Sequence, residues 1–136
     1  MEWKFTKKIE DMSPKETRER IRKGYEYPMP KLFIMPYLGS GEKVTYITKD
    51  FVARCPATGI ADVYELSISF NPTKYIPELK SLKLYFNSYQ SLPISHEHVA
   101  SKVFNDFVKQ VKPKKIKLEL KAAIRGGIET IVELEK

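Results

Sequence analysis

Residues 62–72, "DVYELSISFNP", decide how this chain folds. Tyr64, Leu66, Ile68 and Phe70 alternate with Glu65, Ser67 and Ser69. A period of two puts the large residues on one face of a strand and the polar ones on the other. That pattern belongs to an antiparallel strand packed on one side. Upstream, residues 42–55, "EKVTYITKDFVARC", are rich in β-branched and aromatic side chains and read as its hairpin partner. Downstream, residues 114–124, "KKIKLELKAAI", alternate again, with Ile116, Leu118, Leu120 and Ala122 on one face. "RGGIETIVELEK" comes next, and Gly126 and Gly127 suit a two-residue hairpin turn.

Between the two hairpins the period changes. In residues 77–90, "PELKSLKLYFNSYQ", Pro77 suits a helix start, and Leu79, Leu82, Phe86 and Tyr89 recur at three and four residues. Residues 95–113, "SHEHVASKVFNDFVKQVKP", predict a second helix. Ser95 is its cap, Val99, Val103, Phe104, Phe107 and Val111 form its apolar face, and Pro113 is its stop. The fold class is therefore α+β: a four-stranded antiparallel sheet with two helices on one face, in the order β-β-α-α-β-β. Its open edges invite pairing with other subunits.

Residues 1–43 read as an irregular arm before a core at 44–136, the whole 1–136 being one domain. Within the arm, "SPKETRERIRKG" predicts a short helix with Ser13 as cap, Pro14 in the first turn and Gly24 at the stop. Pro28, Pro30 and Pro36 break any long element in the rest of the arm, and Tyr25, Tyr27, Phe33 and Tyr37 are expected to pack on the main body. The charged N-terminus lacks the apolar stretch of a signal peptide, and no apolar run reaches a membrane span, so a cytoplasmic protein is expected. A single cysteine excludes an internal disulfide framework and a multi-cysteine zinc site. The formal charge of +7 favours anionic partners, among them phosphorylated cofactors and nucleic acid.

Several groups bear chemistry. Cys55 enters the turn "CPATG", where it is either an inert thiol or a nucleophile assisted by Arg54. Asp62, seven residues on, is either an exposed strand-start carboxylate or an acid working with it. In "SHEH", Glu97 either favours the helix macrodipole or accepts two parallel hydrogen bonds from a guanidine-like edge. His96 and His98 diverge on a helix and make a weak zinc pair. Lys80 and Lys83, with Ser81 between them, form either a solvated face or a phosphate cradle. Arg125 with Gly126 is either an ordinary turn or an anion site. There is no GxGxxG and no P-loop.

"CPATGIAD", "ELKSLKLYFNSY", "HE" at 96–97 and "RGGI" at 125–128 occur in the order and spacing of one family. The chain resembles the NADPH-dependent 7-cyano-7-deazaguanine reductases, the nitrile reductases of queuosine biosynthesis. The resemblance covers about two-thirds of the chain, from Phe51 to Ile128. It implies the tunnelling fold, assembled into an oligomeric barrel of pentamer rings or decamers. It implies that Cys55 attacks the nitrile to form a covalent thioimide, that Asp62 protonates the nitrogen and that His96 lines the reacting centre. It places Glu97 on the deazaguanine base, with Glu78 and Ser81 in the substrate set, and gives NADPH to Lys80, Lys83, Arg125 and Gly126. The product is 7-aminomethyl-7-deazaguanine, and no metal is implied. The linker "QSLPIS" departs from the arginine- and glycine-bearing linker of that family. Two other readings share the fold. One is an amidinotransferase of archaeosine formation, which uses the same Cys and Asp on a cyano base in transfer RNA without NADPH. The other is a catalytically silent nucleotide- or RNA-binding module.

Overall fold

The computed structural model describes residues 8–136. Ten elements succeed one another: a 3-10 turn (Ile9–Asp11), α1 (Pro14–Tyr25), β1 (Ile34–Pro36), β2 (Val44–Arg54), β3 (Ala61–Asn71), β4 (Tyr75–Pro77), α2 (Leu79–Asn87), α3 (His96–Val111), β5 (Lys115–Arg125) and β6 (Ile128–Glu135). The main sheet is antiparallel, in the order β2-β3-β5-β6. The expected α+β architecture holds, with the β-β-α-α-β-β order intact and the apolar faces of α2 and α3 turned toward the sheet.

The alternation of β3 sets the layers. Leu66 lies opposite Thr48 and Leu120, and Ile68 opposite Tyr46 and Leu118, so one face of β3 and β5 is apolar and continues onto Tyr46 of β2. Leu66, Ile68 and Phe70 are each 1% exposed, and Val99, Val103, Phe107 and Val111 of α3 are buried against them in one core. Burying side chains of this size stabilises by roughly 1.5–3 kcal/mol each. The register of β2 against β3 shifts between Thr48 and Phe51. This bulge moves the inward series from Thr48 to Phe51 and Ala53, which is the alternation that runs on toward Cys55. Gly126 and Gly127 take φ of +56° and +78° and close the β5–β6 hairpin as expected.

Several expectations change in detail. The arm is more ordered than an irregular segment. α1 carries a full capping box between Ser13 and Glu16. β1 pairs with β4, and Leu32 belongs to the core. Gly24 does not stop α1, which runs to Tyr25; it is buried where the helix meets the backbone of Pro93. Pro77 ends β4 rather than starting a helix, Glu78 caps α2, and Leu79, expected on the apolar face, is 61% exposed. Ser95 stands at the N-cap of α3 without a capping hydrogen bond; its hydroxyl meets His98 Nδ1 instead. Of the arm aromatics, Tyr25 and Tyr27 pack on the core, whereas Phe33 is 65% exposed. Among the described residues no helix is long and apolar enough to cross a membrane.

Candidate active site

The site is built at the end of β2 and the start of β3. Cys55 follows the last residue of β2, its N–H donating to Ile60 O and its carbonyl accepting from Gly59 N–H, so the turn "CPATG" is closed at both ends. The thiol is free and half-buried. Asp62 sits across the pair in register with Ala53. It is not an exposed strand-start carboxylate: it is 6% exposed and holds an ion pair with Arg125 at 3.0 Å. The same guanidinium donates to Ala61 O at 3.2 Å, which ties the glycine turn of the β5–β6 hairpin to the first residues of β3.

The linker from α2 to α3 supplies the second wall. Arg54 N–H donates to Leu92 O and Ile94 N–H donates to Arg54 O, both at 2.9 Å, and Arg54 Nε donates to Gln90 O at the same distance. The "QSLPIS" segment thus joins the end of β2 through a single parallel bridge between Arg54 and Pro93. Leu92, Pro93 and Ile94 are buried there. This seam delivers the N-terminus of α3, with His96 half-buried and Glu97 exposed, to the Cys55 end of the sheet.

Tyr64 joins the two walls. From β3 it lies under the site, 1% exposed, with its hydroxyl 2.8 Å from His96 Nδ1 and the two rings edge to face. Burial pushes its phenol well above the usual tyrosine range. The carboxylates of Asp62 and Glu97 push the same way, and Arg125 opposes. The phenol thus lies within electrostatic reach of Asp62, Glu97, Cys55 and Arg125 and in direct hydrogen-bond contact with His96. Sequence reasoning placed Tyr64 in the core but missed its place in the site. The signal was a phenol on a buried face, whose hydroxyl must find a partner.

The remaining predicted residues on α2 cluster at its start. Glu78 spends both carboxylate oxygens on α2, accepting from Ser81 N–H at 2.9 Å and Lys80 N–H at 2.6 Å. Ser81 donates from its hydroxyl to Glu78 O and accepts from Phe33 N–H, tying the arm to α2. Lys80 and Lys83 are exposed. Lys83 lines a cleft of about 440 Å³ between β2 and α2, with Thr45, Ile47, Leu79 and Phe86. Neither Cys55, Asp62, His96 nor Glu97 lines it. Gly126 belongs to the turn beside Arg125 and is exposed. Within one chain the structure pairs Asp62 with Arg125 and brings His96 and Glu97 to the Cys55 end of the sheet, while Glu78 and Ser81 are engaged on α2 and Lys83 borders a separate cleft.

A four-stranded antiparallel sheet in this order, with both helices on one face, defines a protein of the tunnelling-fold class. Comparison with known proteins narrows this. Residues 61–136, which carry Asp62, His96, Glu97 and Arg125, match the family model described as QueF-like protein. A protein of Thermoanaerobacter pseudethanolicus named NADPH-dependent 7-cyano-7-deazaguanine reductase is 37% identical over 116 residues, 85% of this chain and 78% of that one. Namesakes from Prochlorococcus marinus (34% identical, 75% of this chain and 73% of that one) and Syntrophus aciditrophicus (42%, 68% and 66%) match as well. Among solved structures, the archaeosine synthase QueF-Like in its apo form superposes with a TM-score of 0.66 at 25% identity, covering 71% of this chain and 95% of that chain. The chain belongs to the family of the NADPH-dependent 7-cyano-7-deazaguanine reductases.

Proposed function

We propose that this protein reduces the nitrile of 7-cyano-7-deazaguanine to the primary amine, using NADPH and a covalent thioimide on Cys55. The observation that carries the reading is a free, half-buried thiol at the same end of the sheet as the buried Asp62, ion-paired with Arg125, and as His96, held by Tyr64 and followed by Glu97. In this reading Glu97 accepts hydrogen bonds from the guanidine-like edge of the base. Cys55 Sγ adds to the nitrile carbon. Asp62, ion-paired with Arg125, takes the thiol proton and passes it to the nitrile nitrogen, so that adduct formation neither gains nor loses a proton.

The residues present fit an anionic dinucleotide. Lys80 and Lys83 are exposed cations, and Lys83 borders a cleft lined by both apolar and polar groups. Arg125 and Gly126 complete the cofactor set. When bound there, NADPH supplies hydride for two successive two-electron reductions. Glu78 and Ser81 act on the substrate through the shape they give the start of α2. In this proposal residues 1–136 work as one domain.

The similarity to an archaeosine synthase favours a second reading, in which ammonia adds to the same thioimide on transfer RNA. One assay separates the two. With free 7-cyano-7-deazaguanine, the protein is expected to oxidise two equivalents of NADPH per nitrile. Without NADPH, its intact mass should rise by one nitrile, and Cys55→Ala should abolish both signals. An adduct without NADPH oxidation would favour the amidinotransferase. Full activity in Cys55→Ala would end both readings.

A further inference from the structure

We propose that Tyr64 is a positioning residue that holds His96 as its Nε2-protonated tautomer, so that the imidazole meets the ligand as a hydrogen-bond donor. Tyr64 is 1% exposed, and among the described residues its hydroxyl makes one hydrogen bond, to His96 Nδ1 at 2.8 Å. A buried hydroxyl must place its hydrogen on an acceptor. Burial and the surrounding carboxylates oppose ionisation of this phenol, so the hydrogen stays on its oxygen. Nδ1 is then the acceptor and carries no hydrogen of its own, which in a neutral imidazole leaves the proton on Nε2.

The ring cannot easily turn away from this bond. The two aromatic planes meet at 86° with centroids 5.4 Å apart, and His96 opens α3 directly after the buried "LPI" seam. His96 is half-buried, so Nε2 is the ring nitrogen left for a ligand. An N–H there donates to the nitrile nitrogen and polarises the carbon that Cys55 attacks. It does not accept the thiol proton, which leaves that task to Asp62. The tautomer follows from the burial and hydrogen bond of Tyr64; its use on the nitrile rests on the reductase reading.

The test has two arms. Ring 15N shifts of labelled wild-type protein, with His98→Asn to separate the second histidine, should show His96 Nε2 protonated and Nδ1 bare. Tyr64→Phe should move the Nδ1 shift and mix the tautomers. In the NADPH assay, Tyr64→Phe should lower kcat about tenfold while both KM values stay within about twofold. A wild-type ring protonated at Nδ1 would overturn the proposal, and this needs no variant to fold. Unmoved ring shifts in Tyr64→Phe, or an unchanged kcat beside moved shifts, would overturn it too. If the wild-type protein oxidises no NADPH, the reductase reading falls and the ring-nitrogen arm alone decides the tautomer.

Discussion

Gly24 lies inside a helix, where glycine weakens the element by roughly 1 kcal/mol relative to alanine. Its use lies outside that helix. A Cβ at this position would stand 2.0 Å from the carbonyl oxygen of Pro93, a backbone atom that cannot swing aside. Gly24→Ala should therefore lower stability by about 1–3 kcal/mol despite its better helix propensity. In thermal denaturation that is a fall of several degrees for a chain of this size; a rise would show that α1 does not press on the linker. The same linker sets His96, so the variant should also lose activity below its melting temperature. At this scale the sequence showed which residues carry chemistry and little of how they meet. Cys55, Asp62, His96, Glu97 and Arg125 were legible as functional types. The ion pair of Asp62 with Arg125 joins residues 63 positions apart across two strands, and no local pattern announces it. Tyr64 was legible as a buried strand residue, and its hydroxyl became meaningful only beside His96.

Strand periodicity was read correctly because β3 and β5 have one face packed and one wet, and no competing signal. Helix ends were harder. Pro77 suits a helix start, yet its neighbours Tyr75 and Ile76 pair with β1, so the proline closes a strand. Glu78 then caps α2 with both oxygens, a role more often filled by shorter polar residues. The bulge between Thr48 and Phe51 also escaped the sequence, since Lys49 and Asp50 look like ordinary polar strand residues. These shifts matter for α2, whose first turn carries the cofactor proposal. Among the described residues neither Lys80 nor Lys83 is ion-paired with a carboxylate, and both extend from a capped, fixed helix start. Lys80→Ala with Lys83→Ala should raise the KM for NADPH about tenfold and leave the nitrile KM nearly unchanged. Equal rises in both would reduce the lysines to a solvated face.

The sheet ends in two edges, β2 and β6, which no further described strand pairs; only Arg54 at the end of β2 is bridged, to Pro93 of the linker. An eleven-residue and an eight-residue edge each present a row of unpaired backbone groups, which natural proteins cover or pair. The face away from the helices is mixed. Ile47 is 59% and Ile131 52% exposed, while Lys121 and Glu119 form an ion pair between them on β5. A second copy of the chain is the partner this predicts: β6 of one subunit beside β2 of the next would continue the sheet, and repetition would close it into a ring. The separation of the site points the same way. The cleft bordered by Lys83 lies along β2 and excludes Cys55, so a neighbour on that edge would bring cofactor and thiol groups of different copies together. Light scattering should accordingly give a mass several times 15.8 kDa at micromolar concentration. Ile131→Lys, outside the core and outside the Lys83 cleft, should shift that mass toward one chain, keep the circular dichroism spectrum and cost most of the NADPH oxidation. A monomeric wild-type protein, or full activity in a monomeric variant, would place the whole site within one subunit.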